Sequence, residues 1–102
     1  MYEYRLTPSA KKDLLEIRSY IQYELFAEDS AYALMEAFEA AFIDACHAPL
    51  SLPPAHDPHL SARGYHKIIV KNYVALVLID EEDECIDVMR VVYQRRNYSE
   101  LL

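Results

Sequence analysis

The chain has 102 residues, 53% of them hydrophobic, with a single Gly, five Pro and a formal net charge of −7. That length supports one modest core and not two, and the apolar content excludes a disordered tail or a low-complexity linker, so residues 1–102 are expected to form one domain. The acidic balance opposes non-specific binding to nucleic acid, whose phosphates reward clustered Lys and Arg.

The start, Met1 to Leu6, alternates polar and apolar residues and lacks the basic segment and apolar run of a secretory signal. The longest purely apolar run, Val74 to Ile79, is far short of the roughly 20 residues that cross a bilayer. A soluble, cytoplasmic protein without a membrane partner is expected. Cys46 and Cys85 form no paired metal motif and are too few for a disulfide scaffold, so reduced, partly buried thiols are expected.

Tyr2, Tyr4 and Leu6 alternate with Glu3 and Arg5, which predicts a short strand with one covered face. Thr7-Pro8 then suits a helix start, because Thr caps with its hydroxyl and Pro fits the first turn. Ala10, Leu14, Ile17, Ile21 and Leu25 recur at steps of three and four and predict one apolar stripe. Asp29-Ser30 reads as a second cap, after which Ala31, Leu34, Phe38, Ala41, Phe42 and Ala45 repeat the helical spacing up to Pro49. Residues 49–62 hold four of the five prolines and read as an irregular connection. From Tyr65 the period changes: Tyr65–Lys71, Tyr73–Asp80 and Cys85–Tyr93 are β-rich runs joined at Asn72 and at the acidic tip Asp80–Glu84. The middle run is apolar at both parities, the mark of a strand covered on both faces. The expected fold is α+β: an N-terminal strand and a two-helix hairpin packed on an antiparallel sheet that ends in a three-stranded meander. The tail Arg95–Leu102 is read as a short turn or helix held by Leu101 and Leu102.

Charge is unevenly spread. Residues 1–60 carry four basic and ten acidic side chains, whereas residues 61–102 carry six and seven, with five of those seven acids together in Asp80–Glu84. The rest of the C-terminal part is locally basic, and a focused basic patch on an acidic protein is compatible with that distribution.

Several words, taken in this order, resemble the RelE/ParE toxin superfamily of bacterial type II toxin–antitoxin systems, a group that includes plasmid-stabilisation toxins. They are Tyr2-x-Tyr4-x-Leu6-Thr7-Pro8-x-Ala10, Asp13-Leu14-x-x-Ile17, Gly64-Tyr65-His66-Lys67-Ile68 with Asn72-Tyr73, and Arg90-Val91-Val92-Tyr93-Gln94-Arg95-Arg96-Asn97-Tyr98 with Leu101-Leu102. The resemblance covers essentially the whole chain and implies a RelE/ParE-like fold and a growth-inhibiting toxin neutralised by a cognate antitoxin. The superfamily contains mRNA endonucleases that act in the ribosomal decoding site and others that inhibit DNA gyrase. The first reading is therefore a ribosome-dependent, metal-independent endoribonuclease without a cofactor, whose partner is the ribosome with its mRNA. The alternatives are a ParE-like gyrase inhibitor without chemistry of its own and a degenerate member that only binds antitoxin.

Metal-independent RNA cleavage needs a base at the 2′-hydroxyl, a cation at the phosphorane and an acid at the leaving oxygen. Lys67 lies where RNase members place a basic catalytic side chain, and is the candidate base or cation; the alternative is an ordinary exposed strand lysine. Tyr93 ends the last strand where related toxins often carry a polar catalytic group. With an ordinary phenol pKa near 10 it suits an acid better than a base, and the alternative is a packed aromatic. His66 stands where close relatives usually carry Arg, and is either an acid–base group or a strand histidine satisfied by its neighbours. Arg90, Arg95 and Arg96 are candidate phosphate clamps, or partners of Glu100 or Asp87.

Two departures weigh against the nuclease. Val74 occupies the early middle-strand region where established RNase members carry a catalytic Arg, and the chain is acidic where ribosome-acting relatives are generally basic. His56-x-x-His59 sits among prolines without a third ligand, so no metal site is expected. The single Gly leaves no nucleotide-binding loop or nucleophile elbow. Tyr20, Tyr23 and Tyr32 are candidates for a stacking surface or for rim packing, and Tyr20, Tyr23, Phe26 and Leu101-Leu102 are candidates for the surface an antitoxin buries.

Overall fold

The computed structural model describes residues 1–94. In chain order these form β1 (Glu3–Leu6), α1 (Pro8–Ser19), a π-helical turn (Tyr20–Glu24), α2 (Glu28–His47), a 3₁₀ turn (Pro49–Ser51), α3 (Pro58–Ala62), β2 (His66–Val70), β3 (Tyr73–Asp80) and β4 (Cys85–Tyr93). The four strands make one sheet in the order β1-β4-β3-β2.

The meander β2-β3-β4 is antiparallel, as its short turns require. The N-terminal strand differs from the expected all-antiparallel sheet: β1 runs parallel to β4, with Arg5 opposite Asp87, and the sheet is mixed. The reason is topological. The two long helices lie between β1 and the meander, and a connection of that length permits a parallel neighbour where a tight turn does not.

Thr7 caps α1, its hydroxyl oxygen accepting from the Ala10 N–H at 3.1 Å while its O–H donates to the Met89 carbonyl at 3.0 Å. One residue thus starts the helix and fastens it to β4. The predicted apolar stripe holds through Ala10, Leu14, Ile17 and Ile21, all of which meet the main core. It fails at Leu25, which is exposed. The Leu25 N–H bonds the Tyr20 carbonyl, five residues back, so the wider π turn rotates the chain out of α-helical register. Phe26 then takes a left-handed φ of 51° and is 89% exposed. Nor does Asp29-Ser30 cap α2. The helix begins at Glu28 with Ala27 in the cap position, and Asp29 lies inside the first turn, where its charge favours the helix dipole.

The sheet is covered on both faces, as the apolar middle strand demands. On one face Ala10 of α1 and Leu34, Phe38 and Phe42 of α2 pack with Ile68, Val70, Ala75, Val77, Val88 and Val91. Tyr4 of β1 meets the Phe42 ring at 5.3 Å between centroids. On the other face Ala55 and Leu60, from the connection read as irregular, cover Tyr65, Val74, Leu76 and Val92. The last five residues of that connection form a short helix, α3, capped by Asp57, whose carboxylate accepts from the N–H groups of His59 and Leu60. Gly64 follows at a φ of +87°, a conformation that an L side chain adopts only with strain.

Candidate functional site

The pairing of β3 with β4 shifts between Leu76 and Val77: Leu76 faces Arg90, whereas Val77 faces Val88. Met89 is the extra residue of a β-bulge. The consequence is a change of parity along β4, so that Ile86 and Val88 before the bulge and Val91 after it all enter the same core.

The bulge also brings the Arg90 side chain to α1. Asp13 takes Arg90 in a two-point pair, Nε to Oδ2 at 2.7 Å and Nη2 to Oδ1 at 3.0 Å, and the same Oδ2 accepts the Val91 N–H at 2.9 Å. Asp13 is buried and Arg90 largely so. The hydrogen bond to Asp13 holds the guanidinium pKa above its ordinary value, against the cost of burial. The candidate phosphate clamp Arg90 is therefore engaged by a carboxylate within the fold. Asp13 carried a readable signal in the sequence. It shares the apolar stripe of Ala10, Leu14 and Ile17, and a carboxylate on a buried stripe must be paired.

Next to this pair a cleft of about 210 Å³ lies between α1 and the end of β4, lined by Glu16, Tyr20, Tyr73 and Tyr93 among others. Tyr93 is opposite Tyr73 in register, and their rings meet edge-on at 5.6 Å. Tyr73 in turn meets Phe38 at 5.8 Å. Burial, with Tyr93 and Tyr20 nearby, raises the Tyr73 phenol pKa, so it stays protonated near neutrality. Nothing local in the sequence marks Tyr73 and Glu16 as site residues; only the fold brings them to the cleft beside Tyr93.

Lys67 is elsewhere. On β2, Ile68 and Val70 point into the helix-side core, so Lys67 between them projects to the opposite face, beside its register partner Leu76 of the second core. Tyr93 is on the helix face. The two also sit two strands and three residues apart, roughly 10 Å in each direction by ordinary sheet spacings. His66 is fixed locally: its Nδ1 is 3.0 Å from the Leu52 carbonyl, and it forms a bridge with Pro54. Arg95 and Arg96 lie outside the described residues, as do Leu101 and Leu102. Val74 is buried in the second core.

Among the described residues no group of three or more His, Cys, Asp or Glu is placed to hold a metal ion. His56 and His59 are both exposed. Cys46 and Cys85 are buried free thiols, and burial raises the Cys46 pKa. No helix among the described residues is long and apolar enough to cross a membrane.

An α+β domain in which a helical hairpin packs on a four-stranded mixed sheet is the architecture of the RelE/ParE-like toxins. Over residues 4–98 the sequence matches the family described as the ParE toxin of the type II toxin–antitoxin system parDE, and the chain belongs to that family. It is a toxin of the type II toxin–antitoxin class. No curated protein sequence matches it. Among solved structures it is similar to a chain of the chromosomal ParDE system from P. aeruginosa, with TM-score 0.73 and 14% identity over 91% of this chain and 96% of that one. It also resembles a chain of the RelBE2 toxin–antitoxin complex from Mycobacterium tuberculosis, with TM-score 0.60 and 25% identity over 90% and 96%. The isolated E. coli RelE toxin aligns with TM-score 0.58 and 16% identity over 99% and 95%.

Proposed function

We propose that this toxin acts by binding its target, as a ParE-like inhibitor of DNA gyrase, and not by cutting RNA. One observation carries the reading: Lys67 and Tyr93, the groups nominated for acid–base chemistry, project from opposite faces of the sheet. A general acid and a general base must each come within about 3 Å of the same phosphodiester, and these two cannot do so together. Three further features agree. Arg90 is held by Asp13, Val74 replaces a cation with buried apolar volume, and the net charge of −7 repels a polyanion.

The runner-up is the ribosome-dependent mRNA endonuclease, with Lys67, Tyr93 and His66 as catalytic groups and Arg90, Arg95 and Arg96 on phosphates. The Tyr20, Tyr73 and Tyr93 cleft favours it, because aromatic faces can stack a base. In either case we infer a cognate antitoxin as the physiological partner, on the precedent of the ParDE and RelBE2 assemblies, and a cytoplasmic site of action.

Induction of the chain without antitoxin tests the choice. Incorporation of labelled thymidine should fall before that of labelled amino acid, and purified chain should inhibit supercoiling by gyrase. Lys67→Ala and Tyr93→Phe should remain toxic. Early arrest of translation, with both variants harmless yet folded, would establish the nuclease instead.

A further inference from the structure

The cleft between α1 and the end of β4 combines aromatic walls with the carboxylate of Glu16. Asp13, Glu16 and Tyr20 recur at steps of three and four from α1 into the π turn, so they line one side of it. From the other side come Tyr73 and Tyr93, paired across β3 and β4. Their rings stand at 76° to each other with centroids 5.6 Å apart. Tyr20 lies near enough to Tyr73 for the two phenols to interact electrostatically. Three rings therefore border about 210 Å³. Tyr20 and Tyr93 are 55% and 45% exposed, so two of the three walls are open to a ligand.

The charges around those rings leave one acid in surplus. Asp13 and Arg90 neutralise each other in their two-point pair. Glu16 is exposed, and among the described residues no ion pair reaches its carboxylate. Its field extends to Arg90, but that guanidinium is already matched by Asp13. Tyr73 stays protonated near neutrality, so the surplus is a single carboxylate beside neutral rings. The face of an aromatic ring is itself electron-rich and attracts a cation placed over it. Ring faces and carboxylate therefore select for the same sign of charge.

We propose that this cleft binds one alkyl guanidinium group, with Tyr20, Tyr73 and Tyr93 as its aromatic walls and Glu16 as its counter-charge. A nucleotide base would also stack on the rings, but it arrives with a phosphate, which Glu16 and a net charge of −7 repel. Among cations, an ammonium is compact and strongly hydrated, whereas a guanidinium is flat, sheds water more readily and stacks on aromatic faces. Lying on a tyrosine face, it keeps paired N–H groups that donate to the two oxygens of one carboxylate. The space suits a single such group and not a folded segment. A free guanidine such as agmatine and an arginine side chain within a polypeptide share this chemistry. The inference is independent of whether the toxin's target is gyrase or mRNA.

The test titrates the full chain with N-acetyl-arginine methylamide, with its uncharged isostere N-acetyl-citrulline methylamide, and with agmatine, following amide chemical shifts. The arginine derivative should shift Glu16, Tyr20, Tyr73 and Tyr93 and bind roughly tenfold tighter than the citrulline derivative. Glu16→Gln and Tyr20→Ala, both at exposed positions, should each weaken it several-fold. Tyr20→Phe, which keeps the ring face and loses only the hydroxyl, should retain most of the binding. If the blocked arginine binds at least as well as agmatine, the ligand is an arginine within a polypeptide; if agmatine alone binds, it is a free guanidine. Equal binding of the arginine and citrulline derivatives, shifts confined to another face, or no loss in Glu16→Gln would overturn the proposal. So would adenosine monophosphate occupying the cleft more tightly than the arginine derivative, which would assign it to base stacking. Arg95→Gln with Arg96→Gln should leave the affinity unchanged; binding seen only in that double variant would assign the cleft to the chain's own arginines and overturn the proposal as well. Growth arrest on induction reads the toxin assignment separately, so a toxic chain that fails these titrations keeps its class and loses the guanidinium site.

Discussion

Asp13 and Arg90 stand 77 residues apart in the chain and meet in a two-point ion pair with both side chains largely removed from solvent. The same carboxylate accepts the Val91 N–H, so one side chain closes the first helix onto the bulged strand and satisfies a buried backbone donor. Removing one partner leaves the other buried and uncompensated, which is the expensive way to break such a pair. Asp13→Ala should cost about 3–5 kcal/mol in urea unfolding. Asp13→Ala combined with Arg90→Met should recover part of that loss, because no orphaned charge remains. If Arg90→Ala left stability unchanged, the guanidinium would not be structural and its nomination for phosphate contact would gain.

Val74 offers a direct test of whether its place in the sheet can carry a catalytic arginine. The side chain is buried among Tyr65, Leu76 and Val92, with Ala55 and Leu60 closing over the cluster. Val74→Arg would force a guanidinium into that core without a carboxylate to meet it. The expected result is destabilisation of roughly 3–5 kcal/mol, read as a lower thermal midpoint, and no gain of RNase activity. A stable, folded Val74→Arg protein that cleaves RNA would reverse this view of the second core.

Acid should loosen the end of the sheet where β1 joins β4. Arg5 reaches Asp87 at 2.6 Å and Asp80 and Asp83 at 3.3 Å each. The Asp83 N–H, followed by Arg5, holds the Asp80 carboxyl below its ordinary pKa of 3.8. A carboxyl depressed on folding contributes stability that is present above its unfolded pKa and lost as pH falls through the folded value. Amide protection, taken relative to intrinsic exchange at each pH, should therefore fall in Glu3–Leu6 and Asp80–Asp87 as pH drops below about 4, ahead of the core strand β3. Arg5→Ala should weaken that pH dependence without abolishing it, because the Asp83 N–H still holds the Asp80 carboxylate.

The two cysteines should be inert in the folded chain. Both are buried, and burial raises the Cys46 pKa, which keeps its thiol protonated and poorly nucleophilic. A thiol reagent should modify native protein slowly and both positions readily in denaturant. Rapid native modification would show that the helix end at Cys46 opens.

Much of this protein was legible in its amino-acid order because local physics governs those features. The alternation in β1, the Thr7-Pro8 helix start, the β-rich runs of β3 and β4 and the covered middle strand follow from periodicity and backbone preference. They give strand bounds of Tyr73–Asp80 and Cys85–Tyr93 directly. The words around Gly64-Tyr65 and Asn72-Tyr73 carry the resemblance to a toxin superfamily. Other features needed the folded chain. The π turn that expels Leu25, the parallel placement of β1 and the bulge at Met89 depend on contacts between segments far apart in sequence. The bulge matters most to function, because one extra residue in β4 resets which side chains share a face. It delivers Arg90 to Asp13 and Tyr93 to the helix side, while Lys67, on a strand without that shift, projects from the other. Residue order nominated the chemical groups; only strand register, a long-range property, decided which of them could meet.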